Sequence, residues 1–339
     1  MRMTTLGKGG PTVSAVGLGC MGLSGTYGPA DDPESIATIH AALDAGITLI
    51  DTGDFYGMGH NEMLLQRALA GRRRDSYFLC VKFGAMRAPN GAFLAFDGRP
   101  AAVKNFLAYS LQRLGTDYID LYQPARVDPN VPIEETVGAI ADAIQSGWVR
   151  HIGLSEASSA TIRRATAVHP IRELQIEYSL ASRGVEADIL PTIRELSVSM
   201  TAYGVFSRGL LTGSAPSRES ASRGDIRALF PRFQGENLER NKQMIVRLEE
   251  AARDKGATVA QLAAAWVISR GTDIIPLFGA RTRQQLADGL KAVDLSLTDA
   301  QWKEIEKLVP PGSVAGDRYG AQQMNILDSE KPPQRATAR

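Results

Sequence analysis

Soft metal ligands are scarce in this chain, and the few present are scattered. Cys20 and Cys80 are its only cysteines, and both fall in strand-like segments. His40, His60, His151 and His169 show no ligand spacing. No metal site is therefore expected. Two thiols without an export signal read as reduced, buried side chains of a cytoplasmic protein. An excess of one charge is missing too. The 38 basic residues stand against 37 acidic ones, for a net charge of +1. That balance offers no field to nucleic acid or to an anionic membrane. No apolar run is long enough to span a bilayer, and the opening MRMTTLGKGG lacks the hydrophobic stretch of a signal peptide. Nothing in the composition marks an oligomeric state. At 339 residues the chain can bury a large core.

Short apolar runs alternate with amphipathic segments almost to the end. The strand candidates are SAVGLGC (14–20), ITLIDTG (47–53), YFLCVKFG (77–84), YIDLYQP (118–124), VRHIGLS (149–155), ELQIEYS (173–179), SMTAYGV (199–205) and DIIPLFG (273–279). Helix-like stretches lie between them, among them 33–46, 101–115, 133–147 and 259–271, and several end in glycine as a left-handed cap would. Continuous apolar strands separated by helices imply a parallel sheet covered on both faces. Eight such units in this length predict an α/β fold, the (β/α)8 TIM barrel. The remainder fits as additions: a hairpin from MRMTTLGKGGPTV across the barrel bottom, a long loop over 207–238 after strand seven, and an extra helix at 296–309 opened by the capping box Thr298-x-x-Gln301. Residues 1–327 read as one domain and 328–339 as a disordered tail.

A rival reading starts from Gly17-Leu-Gly19-Cys-Met-Gly22, which matches G-x-G-x-x-G after a strand, with Asp51 ending the next strand. A dinucleotide site of that kind needs a helix to open within the glycines. Here SGTYGPADDP intervenes, and Asp51 lies further on than the usual ~20 residues. A tight loop at a barrel rim accounts better for these glycines.

In a TIM barrel the chemistry gathers at the C-terminal ends of the strands. Asp51 and Tyr56 stand at the end of strand two and Lys82 at the end of strand three. Taken singly these are a loop cap, a rim packer and a partner for any acid. Together they form a proton-donating set. An ammonium lowers the pKa of a neighbouring phenol, and a carboxylate keeps that ammonium charged and fixed.

Their context sharpens the reading. LIDTGDFYGMGHNE, CVKFG, GLSEAS and AYGVFSRGLLTG, in this order and spacing, resemble the aldo-keto reductase family over roughly residues 3 to 310. KFGAMRAPNGAFLAFDGRP and PRFQGENLERN resemble its bacterial, plant and yeast branch of small-aldehyde, pyridoxal and perakine-type reductases. The resemblance implies a (β/α)8 barrel that passes hydride from NADPH to a small aldehyde or ketone without a metal. It implies that Asp51, Tyr56 and Lys82 are catalytic, Tyr56 protonating the carbonyl oxygen. Ser155 and Gln175 would hold the nicotinamide carboxamide, although Glu156 replaces the Asn common beside that Ser. Tyr203 would stack on the nicotinamide ring. Gly204, Val205, Phe206, Ser207, Arg208 and Gly209 would carry the pyrophosphate, with Arg208 adding a cation. Gly279, Arg281 and Gln285 would surround the adenosine 2′-phosphate, Arg281 being the best ligand for its oxygens. Arg283 reads as its companion or as a solvated helix start, and Gly289 stands where an adenine-binding Asn is common.

The same resemblance exposes a gap. The family's fourth catalytic residue is a His in a pattern like DLYYQHRVDP, where this chain has DLYQPARVD and places Ala125. That His orients the carbonyl and donates a hydrogen bond to it. Arg126, Arg87 and His60 are the candidate substitutes, and a water above Ala125 is a further option. Met21, Leu23, Phe55, Met86, Arg87, Ala125 and Arg126 are expected to wall the substrate pocket. The leading function is NADPH-dependent carbonyl reduction. The alternative is an NADPH-binding sensor with slow turnover, similar to the potassium-channel beta subunits of the family.

Overall fold

The apolar runs resolve into a closed parallel barrel in the computed structural model, which describes residues 1–213 and 225–331. An antiparallel hairpin, β1 (Met3–Thr5) and β2 (Thr12–Ser14), precedes it. The barrel strands are β3 (Gly17–Gly19), β4 (Leu49–Gly53), β5 (Phe78–Phe83), β8 (Ile119–Pro124), β9 (Val149–Ser155), β10 (Ile171–Glu177), β11 (Ser199–Tyr203) and β12 (Ile274–Phe278). A second hairpin, β6 (Ala85–Arg87) and β7 (Phe93–Phe96), projects after β5. Around the barrel run α1 (Asp32–Asp44), α2 (His60–Leu69), α3 (Pro100–Leu114), α4 (Ile133–Gln145), α5 (Ser159–Val168), α6 (Ile189–Glu195), α7 (Gly235–Arg253), α8 (Val259–Ser269) and α9 (Arg283–Leu290). Two more, α10 (Asp299–Leu308) and α11 (Ala321–Ile326), complete the described residues. None of these helices is long and apolar enough to cross a membrane.

Strand alternation sorts the side chains into two cores. Ile50, Leu79, Val81 and Tyr122 belong to the layer between barrel and helices. Leu49, Cys80, Leu121, Ile275 and Leu277 form a second cluster, closed by Leu6 and Val13 from the first hairpin. That hairpin plugs the bottom, held there by Gly7 N–H donating to Ser199 Oγ at 2.8 Å and Lys8 N–H to the Ser197 carbonyl at 2.9 Å. Two residues further along three strands, Leu49 gives way to Asp51, Cys80 to Lys82 and Leu121 to Gln123, while β10 is already polar at Glu173 and stays so at Gln175. The interior therefore turns from apolar below to polar above, towards the end where a TIM barrel does its chemistry.

The expected additions are present, with shifts. Thr298 and Gln301 form the capping box of α10, which buries Trp302 and Ile305. The rim loop after β3 is a short 3-10 turn, Met21–Ser24, and α1 opens only at Asp32 under the cap of Asp31. This is the geometry that the rival dinucleotide motif forbids. Helix α7 begins at Gly235, inside the span read as loop, and residues 214–224 of that span lie outside the described residues. The stretch read as tail begins with a contact to the barrel. Asp328 is buried and accepts hydrogen bonds from Ser158 N–H at 2.8 Å and Lys331 Nζ at 2.9 Å; 332–339 lie outside the described residues.

Glu156 ties this C-terminal segment to the barrel. It is fully buried, follows β9 with a φ of +52°, and binds Arg318 through both oxygens at 2.8 and 2.5 Å. Ser329 Oγ and Tyr203 Oη donate to it at 2.5 and 2.7 Å. Burial would raise its pKa, but the Arg318 charge overrides this and holds the carboxyl well below the usual range. Removing one partner of a buried ion pair costs about 3–5 kcal/mol, because the other charge stays buried. Glu156→Gln should lower unfolding stability by that amount in urea titration. A midpoint equal to wild type would mean that Arg318 finds another partner without cost.

Candidate active site

Lys82 lies on the inward face of β5, and Asp51 on that of β4, its neighbour in the barrel. Lys82 Nζ donates to both carboxylate oxygens of Asp51 at 2.6 Å, and both side chains are almost wholly buried. Gln175 Nε2, from β10 across the barrel, donates to Asp51 Oδ2 at 2.8 Å. Burial would lower the pKa of the ammonium, but Asp51 outweighs it and keeps Lys82 charged. Tyr56 follows the Gly53-Asp54-Phe55 turn, with its ring centre 5.3 Å from Lys82 Nζ, close enough for the ammonium charge to bear on the phenol. Phe55 meets the ring edge-on, with centroids 4.8 Å apart. The loop is anchored by Asn61, which accepts from Thr52 Oγ1 at 2.6 Å and donates to the Cys20 carbonyl at 2.9 Å.

One sequence expectation is corrected here. Tyr56 is not shifted downwards. Burial raises its pKa, Lys82 pulls it down and Asp51 pushes it up, and the balance is upward. The phenol is therefore fully protonated near neutral pH. A cation stands beside its ring, 5.3 Å from the centre.

Around this group stand the remaining candidates. Ser155 ends β9 beside Gln175, and its hydroxyl accepts from Arg126 Nη1 at 3.4 Å. Arg126 Nη2 donates to Tyr319 Oη at 3.2 Å, and its buried Nε has no partner among the described residues. Tyr319 and Tyr203 share a 2.8 Å hydrogen bond. After β11, Gly204 and Gly209 take φ values of +67° and +98°, which wind the backbone tightly past the barrel mouth. Val205 is buried, and Phe206 packs on Phe278 with centroids 5.4 Å apart. Gly289 leaves the space beside those two rings, and a Cβ there would touch both. Arg208 is not a free cation: it donates to Glu177 at 2.9 Å and lies over the rings of Tyr319 and Phe230.

Arg281 and Gln285 meet at the start of α9, where Arg281 N–H donates to Gln285 Oε1 at 2.9 Å. The Arg281 guanidinium binds only the carbonyls of Tyr27 and Pro29, and its Nε is buried without a partner among the described residues. Arg283, by contrast, is paired with Glu34 at 2.9 Å. Gly279 precedes them with open space at its Cβ position.

The pocket wall is only partly as expected. Ala125 is buried at the end of β8, and Phe55 and Met21 are half-buried. Leu23 is fully buried in the main core, since the 3-10 turn folds it inwards, so it supports the wall from behind. Met86 is half-buried on β6, and Arg87 is exposed on that hairpin, its guanidinium 5.9 Å from the Phe93 ring. His60 binds Ser24 and Asp32 at 2.9 and 3.1 Å, away from Tyr56. Of the three proposed substitutes for the missing imidazole, Arg126 is one whose charge bears on Tyr56, pulling its pKa down.

With this geometry in hand, comparison places the chain. The model of the Aldo/keto reductase family matches residues 15–310, and the protein belongs to that family of oxidoreductases, which act on carbonyl compounds with nicotinamide cofactors. It is 41% identical to a probable aldo-keto reductase of Glycine max over 315 residues, 93% of this chain and 90% of that one. In structure it is similar to the glycerol dehydrogenase of Gluconobacter oxydans, with a TM-score of 0.81, 30% identity and 99% of both chains covered. It is also similar to a thermostable aldo-keto reductase solved with the inhibitor epalrestat, with a TM-score of 0.74, 28% identity, and 91% of this chain and all of that one covered. The residues present fit a dinucleotide phosphate. Buried Ser207 Oγ and Arg281 Nε lack protein partners among the described residues, one on each of the two loops where phosphates are expected.

Reasoning from sequence missed Glu173. It lies fully buried on β10, accepts from Thr201 Oγ1, and has Cys80 Sγ at 4.0 Å. Its signal was available: Glu173, Gln175 and Glu177 alternate on one strand, and that face turns inwards. Burial, helped by the Asp51 charge, pushes the Glu173 carboxyl up to about 7. A raised carboxyl favours its neutral form in the fold. Its contribution is thus complete below the usual value near 4.5 and lost as pH rises through about 7. Asp54, pushed up to about 7 by burial and by Glu62, acts in the same direction. Glu173→Gln should therefore be more stable than wild type at pH ~9, by up to the order of 3 kcal/mol, and differ little at pH ~5. Urea titrations at the two pH values test this, and an equal difference at both would show that Glu173 does not titrate.

Proposed function

We propose that this protein reduces an aldehyde or ketone to an alcohol with NADPH, and that Tyr56 is its proton donor. The observation that carries the reading is the buried Asp51–Lys82 pair, closed at 2.6 Å, with its ammonium against the phenol of Tyr56. When bound, a reduced nicotinamide supplies hydride to the carbonyl carbon. Tyr56 gives its proton to the carbonyl oxygen as charge develops there. Lys82 stabilises the phenolate that remains, and Asp51 with Gln175 keeps the ammonium in position. Ser155 and Gln175 are suited to hold the carboxamide, and Tyr203 to cover one ring face. The glycine-rich turn 204–209 is suited to the pyrophosphate. Arg281 and Gln285 are suited to the 2′-phosphate, which favours NADPH over NADH.

Tyr56→Phe keeps the ring and removes only the acid. Steady-state reduction of activated aldehydes should fall by ~10²–10⁴-fold with NADPH affinity unchanged. Retention of most of the wild-type rate would make another group the donor. A wild type that binds NADPH but turns over no carbonyl would favour a sensor instead.

Among the described residues Arg281 forms no salt bridge, and its charge reaches only as far as lowering the Asp225 carboxyl, so its guanidinium is suited to a phosphate. Arg281→Ala should weaken NADPH by roughly 1.5–3 kcal/mol, the value of a lost charged hydrogen bond, and NADH far less. Calorimetry with both cofactors decides it, and equal weakening would sink the placement of the 2′-phosphate.

A further inference from the structure

The position of the missing imidazole is bordered by a second departure from the family pattern. Where the pattern has Tyr-Gln-His, this chain has Gln123-Pro124-Ala125. Alternation along β8 puts Gln123 and Ala125 on the same inward face, with outward Tyr122 stacked on Phe83 in the outer core. Gln123 is paired in register with Lys82. Its side chain is fully buried, and neither Oε1 nor Nε2 has a hydrogen-bond partner among the described residues. Leaving a buried amide unmet is costly, so such groups call for an explanation.

The surroundings make room for it. A Cβ on Gly153 of β9 would lie 3.2 Å from Gln123 Oε1 and 2.7 Å from Leu121 Cδ2. Glycine at that point is what lets the amide occupy the barrel interior. On the other side, Arg126 adds a second buried unmet donor, its Nε, one residue beyond Ala125. Two orphaned donors thus flank the small residue in sequence, at the level of the Asp51–Lys82 pair and above it. A two-residue step along a strand is about 6.6 Å, a distance that a glutamine side chain with its three rotatable bonds largely spans.

We propose that Gln123 is a catalytic residue, its Nε2–H donating to the substrate carbonyl oxygen the hydrogen bond that an imidazole at position 125 would supply, with Arg126 closing the far side of the carbonyl. This rests on the carbonyl-reductase reading above. The amide transfers no proton. Tyr56 still gives the proton and the nicotinamide the hydride, while Gln123 holds the oxygen as it gains charge. Space above Ala125 is needed for the amide to reach, which explains why the small residue and the polar one occur together.

The test is a cycle of variants in NADPH-dependent reduction of para-nitrobenzaldehyde. Gln123→Leu keeps the volume and removes only the amide. Its kcat should fall by ~10²-fold, the loss typical of one oxyanion donor, with NADPH Kd unchanged. Its Tm should rise, because a buried unmet amide has gone. Ala125→His on the Gln123→Leu background should recover much of that loss, whereas Ala125→His on wild type should gain little, since the role is already filled. A Gln123→Leu enzyme with wild-type kcat overturns the proposal, as does equal benefit from Ala125→His on both backgrounds. Lower Tm together with weaker NADPH binding would overturn it by making Gln123 a packing residue. Tyr56→Phe in the same assay separates the levels: its inactivity beside an active Gln123→Leu leaves the reductase reading standing alone. A wild type inert towards carbonyls overturns both.

Discussion

A buried charge pair sets the terms for this molecule. Asp51 and Lys82 meet at 2.6 Å inside a barrel whose lower half is closed by a cluster of apolar side chains. Withdrawing two such charges from water costs several kcal/mol each, and the Coulomb gain repays this only when geometry is tight and the remaining lone pairs are met. Gln175 meets one of them from the opposite wall. The pair therefore demands a rigid, closed frame, and eight strands in parallel register supply it. It is poor value as a source of stability. It is good value as a fixed cation beside a phenol that burial alone would make reluctant to ionise.

A second set of buried charges depends on the same frame. Glu177 receives Arg208 at 2.9 Å and Arg232 at 3.4 Å, while Glu156 receives Arg318. These pairs connect the turn after β11, the stretch before α7 and the segment after α10 to the rim of the barrel. The positive φ at Glu156 helps explain why a short amide side chain is common there in the family, since Asn tolerates that conformation. Glutamate accepts the backbone strain here and is compensated by a two-oxygen contact with Arg318. The site is consequently bounded by charge pairs as well as by apolar packing, and Tyr319 reaches the mouth because Arg318 holds its segment down.

The fold was legible because its signals are local and repeated. Eight apolar runs, glycine-ended helices and a capping box all recur as strands, helices and an N-cap within a few residues of where they were read. The central trio Asp51, Tyr56 and Lys82 was legible because strand ends define one face. What escaped depends on distant partners. Nothing in SRG says that Arg208 will be neutralised by Glu177, which lies 31 residues away. Nothing in GDRYG says that Arg318 and Tyr319 will close over a strand end more than a hundred residues earlier. The direction of the Tyr56 shift escaped for a related reason. Pairwise chemistry suggests a lowered pKa, whereas burial, a property of the whole fold, decides the sign.

Natural cores rarely keep polar groups without partners, yet the upper barrel holds several: the amide of Gln123, Nε of Arg126, Oγ of Ser207 and Nε of Arg281. Glu62 Oε1 and Ser110 Oγ are also unmet among the described residues, on α2 and α3, apart from the four just named. All four belong to loops or strand ends on the C-terminal side of the barrel, while the plugged end is packed with Leu6, Val13 and their neighbours. A protein that kept such groups only for its own stability would exchange them for apolar residues of similar size, which relieves the desolvation cost. Retaining them makes sense where something outside the chain completes the hydrogen bonds. Two of the four sit where phosphates are expected, and the other two border Ala125, where a carbonyl is expected. The unmet polarity of these four thus runs from the start of α9 to the end of β8, and the same energetic rule applies at both ends.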